Sequence, residues 1–344
     1  MAVSARKAVT TRPLHAARER TGEGRVRRAP MMSRMMVAKV APLVVSVPDA
    51  NLAQALGDDA GVEYVVWDMS GPPPVPALDI VIPPYLAGTG WAAQLAGVPT
   101  RLIQSPMVGY DGIADLLPPG VVYANAASVH ETSTAELTLA LILASQRGLP
   151  DFVRAAEKGH WAPAWHQSLA DRSVLLVGYG GVGRAIAERL SPFEVTLTRV
   201  ARTARTDERG EIYSIESLDE LLPSADVVVV VVPLDDSTTR LIDDAFLSRM
   251  RDGTLLVNVS RGRVADTEAL LKHASSGRLR IALDVTDPEP LPDGHPLFAL
   301  ENVLISPHVG GATTAGVPRL VRLIKEQAQR MSRGDEPLNV VLRT

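Results

Sequence analysis

The stretch Ser173-Val-Leu-Leu-Val-Gly178-Tyr-Gly180-Gly181-Val182-Gly183-Arg-Ala-Ile-Ala-Glu-Arg-Leu190 constrains the fold of this chain more than any other segment. Residues 174–177 form an unbroken apolar run, the pattern of a strand buried on both faces of a parallel sheet. Such a strand, ending in three spaced glycines and passing into a helix, is the local signature of a dinucleotide-binding turn. Gly178 permits the tight turn. Gly180 lets the backbone approach a pyrophosphate, and Gly183 lets the helix pack close to the strand. The first helical turn, with Gly181 and Val182, points its unpaired amides at the phosphates. Glycine spacing alone is weak; the strand before it and the helix after it make it specific.

The next strand bears on the choice of cofactor. It is expected over 194–200, and a fold that prefers NAD usually places an acid at its end, to bond the ribose 2′-hydroxyl. This chain has Ala201-Arg202-Thr203-Ala204-Arg205 there instead. Two guanidiniums and a hydroxyl suit a 2′-phosphate, because arginine offers planar, paired donors to phosphate oxygens. NADP is the expected cofactor and NAD the alternative. The plainer reading of the same residues is a solvated basic loop.

The 344 residues suffice for two domains. The absence of cysteine excludes disulfides, thiolate zinc sites and a cysteine nucleophile. The apolar runs fall short of the ~20 residues that span a bilayer, and the most apolar, 227–232, reads as a buried strand. Residues 1–36 carry nine basic and two acidic side chains, so this segment is +7 and the remainder −11 against a total of −4. It lacks the apolar core of a secretory signal and reads as a disordered basic leader or a misassigned start, with a transit peptide as the other option. The acidic body argues against a nucleic-acid partner. A cytoplasmic location, without membrane or metal, is expected.

From Pro42 onward, short apolar runs near 43–47, 62–66, 79–82, 101–104 and 121–124 alternate with helical or turn segments, the pattern of a small parallel α/β domain. Residues 133–145 predict a helix that is apolar on most faces, with Ser133 as N-cap and Glu136 completing a capping box. Further strands are expected at 227–232, 253–259, 280–284 and 302–306, and a final helix at 318–333 crosses back to the first domain. The fold class is α/β: two doubly wound parallel-sheet domains, a Rossmann cofactor domain (133–311) inserted into a flavodoxin-like substrate domain (37–132 and 312–344).

Six motifs in order now carry a resemblance: Val108-Gly109-Tyr-Asp-Gly112, Ser133-Thr134-Ala-Glu-Leu137, the glycine turn, Asn258-Val-Ser-Arg261-Gly262, Ala282-Leu-Asp284-Val285 followed by Glu289, and Ser306-Pro-His308-Val-Gly310. From about Pro42 to Val341 the chain resembles the D-isomer-specific 2-hydroxyacid dehydrogenases, glyoxylate/hydroxypyruvate reductases in particular. The resemblance implies reduction of a small 2-oxo acid to a D-2-hydroxy acid. In it His308 is the general acid, paired with Glu289, whose carboxylate favours the imidazolium. Arg261 holds and polarises the 2-oxo group and helps bind the carboxylate, whose other end is taken by amides near Val108 and Gly109. Asp284 accepts from the nicotinamide carboxamide, and Thr134, Pro233 and Thr238 match positions lining the cofactor site. Asp287 competes with Glu289, and spacing from Asp284 favours Glu289.

The departures also inform. A carboxylate at 289 argues against a formate dehydrogenase, and an apolar residue at 108 against a phosphite dehydrogenase. Gly311 stands where many relatives have a larger residue, which implies room for a bulkier substrate. His130, just before the apolar helix, is placed to line the cleft without an assigned role. A homodimer built on that apolar helix is expected. The alternatives are a non-enzymatic dinucleotide-sensing corepressor of the same fold and, among enzymes, a D-3-phosphoglycerate dehydrogenase.

Overall fold

A computed structural model describes residues Ala41–Thr344; the leader at 1–36 lies outside the described residues. The first apolar runs form strands β1 (Leu43–Val47), β2 (Val62–Val66), β3 (Leu78–Val81), β4 (Thr100–Gln104) and β5 (Val122–Ala124). They make a parallel sheet in the order 5-4-3-1-2, the flavodoxin-like arrangement. A last strand, β14 (Val340–Arg343), joins its β5 edge antiparallel. That strand was not anticipated, because four residues following a helix carry little periodicity. On one face, Val45, Val47, Ile80 and Ile82 pack with helices α1 (Ala50–Leu56) and α8 (Gly316–Arg333) through residues such as Leu52, Leu320 and Ile324. The other face buries Val81, Ile103 and Tyr123 with Trp91 and Leu95.

The C-terminal return is fastened by a buried amide network. Gln327 on α8 donates to the Gln104 side chain at 2.6 Å and to the Leu338 carbonyl at 2.9 Å, and accepts from the Leu338 amide. Gln104 in turn donates to the carbonyls of Ser105 and Asn125. Buried amides that satisfy one another in this way hold register as well as add stability.

The second sheet contains β6 (Ser173–Val177), β7 (Thr196–Ala201), β8 (Arg205–Asp207), β9 (Gly210–Ser214), β10 (Val227–Val230), β11 (Leu255–Asn258), β12 (Arg280–Leu283) and β13 (Val303–Ile305). Their order is 13-12-11-10-6-7-9-8, parallel except for the β8–β9 hairpin. Burial on both faces explains the valine run of β10: Val227 and Val229 enter one core, Val228 and Val230 the other, and none is exposed. At about 1.5–3 kcal/mol per buried aliphatic side chain, such a run is stable only inside a sheet. The hairpin 205–214 was not anticipated, because β8 is exposed throughout and carries no apolar signal.

Helices α2 (Glu131–Arg147), α3 (Leu149–Glu157), α4 (Gly181–Leu190), α5 (Leu218–Leu221), α6 (Asp244–Arg249) and α7 (Thr267–Ser275) complete the layers. The expected Ser133 cap is corrected: α2 starts earlier, with His130 at the N-cap. Ser133 lies inside the first turn, where its hydroxyl bonds that of Thr313 at 2.8 Å. The Glu131 carboxylate instead accepts from the Ser128 amide ahead of the helix. Among the described residues no helix is long and apolar enough to cross a membrane.

At the β6 turn, a Cβ on Gly178 would lie 2.2 Å from the Val231 carbonyl oxygen, and Gly178 has φ +109°. Gly178→Ala combines steric overlap with a backbone conformation that alanine disfavours. It is expected to cost at least about 2 kcal/mol, read as a lowered denaturation midpoint.

Candidate active site

The loop after β13 carries His308 and is fastened from β12. The Asp284 carboxylate, 3% exposed, accepts from the Ser306 hydroxyl (2.7 Å) and the amides of Val309 (2.9 Å) and Gly310 (3.0 Å). The Asp284 carbonyl takes the His308 amide at 2.7 Å. His308 has φ +54°, a conformation a non-glycine residue adopts only when its surroundings hold it there. Asp284 supplies that hold.

His308 Nδ1 lies 2.5 Å from Glu289 Oε1, while Asp287 engages the Thr267 hydroxyl through its backbone carbonyl. Ionised Glu289 can only accept, so Nδ1 carries a hydrogen and Nε2 is the nitrogen left for a ligand. The pair is partly exposed. At roughly 0–1 kcal/mol such a pair adds little stability, so its effect is chiefly to orient the ring.

Arg261, after β11, donates through Nε to Asp111 Oδ1 at 3.1 Å and through Nη1 to the Ser260 carbonyl at 2.8 Å. Its guanidinium lies against Gly109, where an added Cβ would be 1.3 Å from Nη2. The backbone of Val108 is fixed by Asn125, whose side chain donates to its carbonyl at 2.8 Å. Val108, Gly109, Arg261 and His308 line a common cavity of about 680 Å³, within the range of small-molecule sites.

The same cavity reaches Gly180, Gly181, Val182 and Gly183 at the start of α4, together with Thr134, Pro233, Arg202 and Asp284. A Cβ on Gly183 would meet the Gly178 carbonyl oxygen at 2.1 Å, whereas Gly180 faces open space. Tyr179 projects away from the turn and is 5% exposed. The buried Arg199 of β7 donates to its hydroxyl at 3.0 Å and to Asp207 of the hairpin at 2.8 Å.

The basic segment is not gathered as expected. Arg202 reaches the cavity but is ion-paired with Asp235, which Ser237 also binds through its amide and hydroxyl. The hydrogen bonds with Ser237 hold the Asp235 carboxyl below the usual carboxylate range, with the Arg202 charge contributing. Arg205 and Thr203 do not line the cavity: the hairpin turns the Arg205 guanidinium onto the carbonyls of Thr203 and Tyr179, each at 3.3 Å. Thr238 does not line it either. Buried, it donates to the Pro233 carbonyl at 2.6 Å and accepts from the Asp235 amide, bracing the turn that does.

Residues 139–310 match the family model for the NAD-binding domain of D-isomer-specific 2-hydroxyacid dehydrogenases. A glyoxylate reductase of Korarchaeum cryptofilum is 32% identical over 70% of this chain and 76% of its own length. The human glyoxylate reductase/hydroxypyruvate reductase is 35% identical over 63% and 70% respectively. A D-isomer-specific 2-hydroxyacid dehydrogenase of Xanthobacter autotrophicus Py2, solved with NADPH and MES, superposes with TM-score 0.75 at 26% identity, covering 88% of this chain and 98% of that one. The chain belongs to the D-isomer-specific 2-hydroxyacid dehydrogenase family. It is an NAD(P)-dependent oxidoreductase acting on 2-oxo and 2-hydroxy acids.

In this dehydrogenase several supporting residues carry no signal of their role in the sequence. Asp111 lies in the Val108–Gly112 motif, but nothing local says that it meets a cation 150 residues away. Arg199 sits in a strand where a buried charge is unexpected. The room inferred beside Gly311 is also corrected: a Cβ there would lie 2.6 Å from Tyr85 Oη and 2.9 Å from His130 Nδ1, so the chain fills that space itself.

Asp111→Asn, which keeps shape but removes the charge facing Arg261, is expected to raise KM for the acid substrate about tenfold with a smaller change in kcat. Arg199→Leu unties Tyr179 and the hairpin from β7. It is expected to weaken dinucleotide binding several-fold by calorimetry and to cost about 1–3 kcal/mol in stability.

Proposed function

We propose that this dehydrogenase reduces glyoxylate or hydroxypyruvate to the corresponding 2-hydroxy acid, D-configured where C2 is a stereocentre, with NADPH preferred over NADH. The observation that carries this reading is the convergence of Glu289-paired His308 and Asp111-paired Arg261 on the cavity that also contains the glycine turn. The names of the two relatives favour these acids, and the NADPH in the Xanthobacter enzyme favours that cofactor.

The residues present fit a dinucleotide. The turn is open at Gly180 and close-packed at Gly178 and Gly183, while Glu131 borders Gly181, so phosphates would approach the start of α4 from the Gly180 side. Arg202 would take the 2′-phosphate by exchanging Asp235 for it, and Arg205 with Thr203 would join if the hairpin side chain swung toward the cleft. Thr134 and the turn braced by Thr238 would flank the nucleotide, while Asp284 would turn any remaining acceptor capacity to the carboxamide. Bound NADPH supplies a hydride to C2 of the acid.

The chain's own residues do the rest. Arg261 would hold the acid and draw electron density toward the carbonyl oxygen, with the Val108 and Gly109 backbone at the other end of the carboxylate. His308 would donate its Nε2 proton to that oxygen while Glu289 steadies the resulting imidazole. The segments 37–132 and 312–344 would act as the substrate domain and 133–311 as the cofactor domain, closing to exclude water from the hydride path. We further place the enzyme in the cytoplasm as a homodimer. Much of the apolar surface of α2 is buried within the chain, in the core it shares with α4. The exposed Leu149, Phe152 and Val153 of α3 and the fully exposed Trp161 and Trp165 offer a better seat for a second copy.

Initial rates with NADPH and NADH across glyoxylate, hydroxypyruvate, pyruvate, 2-oxobutyrate and phenylpyruvate test the reading. Loss of the general acid in His308→Ala is expected to lower kcat at least about 100-fold. Arg202→Ala is expected to remove most of the NADPH preference. Cofactor binding without turnover of any acid would overturn the assignment. Sedimentation equilibrium is expected to return twice the chain mass of 36.8 kDa, and Trp161→Ser with Trp165→Ser to shift it toward monomer.

A further inference from the structure

Beside the cavity lies a polar pair that the chemistry above leaves unused. His130 is 9% exposed, and its Nε2 lies 2.7 Å from the Pro106 carbonyl oxygen. A carbonyl can only accept, so Nε2 carries the hydrogen and, in the neutral ring, Nδ1 is a bare acceptor. Nδ1 is buried and has no partner among the described residues. Tyr85 stands over the imidazole, ring centres 5.5 Å apart and tilted by 35°. Its hydroxyl and Nδ1 both close on the point where residue 311 would carry a Cβ, at 2.6 and 2.9 Å, so only glycine fits between them. Tyr85, His130 and Gly311 line the same cavity as Arg261 and His308.

We propose that Tyr85 and His130 form a hydroxyl-recognition subsite that selects 2-oxo acids bearing a hydroxyl on C3 over those ending in a bare methyl. The inference rests on the 2-oxo acid reductase reading of this cavity. A phenol has one hydrogen to give, and the buried, unpartnered His130 Nδ1 is an acceptor beside its ring. A rotation of Tyr85 that brings its hydroxyl within reach of Nδ1 commits that hydrogen there and relieves the unpaired imidazole. The phenol oxygen then presents only lone pairs to the cavity. It can accept from an alcohol, it gives nothing to a methyl, and it opposes a carboxylate or phosphate at the same position. Sites built around a substrate hydroxyl reject the analogue lacking it far more strongly than apolar pockets discriminate size.

The test compares hydroxypyruvate with pyruvate, which differ only in the C3 hydroxyl, in wild type, Tyr85→Phe and His130→Leu. Wild type is expected to prefer hydroxypyruvate at least about 30-fold in kcat/KM. Tyr85→Phe, which removes a single oxygen from a half-exposed ring, is expected to cut that ratio about tenfold, mostly through KM for hydroxypyruvate. His130→Leu should move the ratio the same way, with thermal melting and NADPH affinity reporting whether it folds. A wild-type ratio near one, or a ratio unchanged in Tyr85→Phe, overturns the subsite while leaving the reductase reading intact. Turnover of no 2-oxo acid by wild type overturns that reading and the subsite with it.

Discussion

Strand β6 lies at the centre of an eight-stranded sheet, with β7 on one side and β10 on the other, and the cleft depends on that placement. Connections leave the two neighbours of a central strand in opposite directions, so a crevice opens beyond its carboxyl end. The crevice is usable only if the chain turns sharply there and the next helix comes close. Both conditions are steric: the Val231 carbonyl and the Gly178 carbonyl occupy the places where side chains at 178 and 183 would begin. The two buried faces of β6 and β10 supply the apolar burial that keeps this crowded turn in place.

The side chains at the crevice and behind its turn are each held by a second group. Glu289 orients His308, Asp284 fastens the loop beneath it, Asp111 steadies Arg261, and Arg199 ties Tyr179 to the hairpin. Partly exposed pairs such as the first and third contribute little to stability. What they supply is a defined ring orientation and a fixed guanidinium, and catalysis depends on such positioning more than on strength of binding. Asp284 differs from the rest: it is buried and triply bonded, and it constrains a histidine whose backbone is left-handed. Read from sequence it was an acceptor for the cofactor; in the structure most of its capacity goes to the loop.

Much of this was legible in the chain. Apart from β8, β9 and β14, the strands of both sheets lie within a few residues of their expected positions, because buried parallel strands require continuous apolar runs. Glu289 rather than Asp287 meets His308, as spacing suggested. Other features left no local signal. β8 is wholly exposed, β14 is short, and the start of α2 is set by Glu131 reaching back to Ser128 rather than by a serine cap. The basic segment after β7 was visible as charge, but its pairing with Asp235 was not.

The sequence by itself determined two α/β sheets, a dinucleotide turn and the order in which a cation, a carboxylate and an imidazole are delivered to strand ends. These are local consequences of apolar period, glycine spacing and motif order, each encoded within a few consecutive residues. Only the tertiary structure decided that Asp111 underlies Arg261, that Asp235 already neutralises Arg202, and that Tyr85 and His130 occupy the space beside Gly311. Those partners are dozens to more than a hundred residues apart. They meet because sheet packing brings distant loops to one cleft, and no local pattern records which loop faces which.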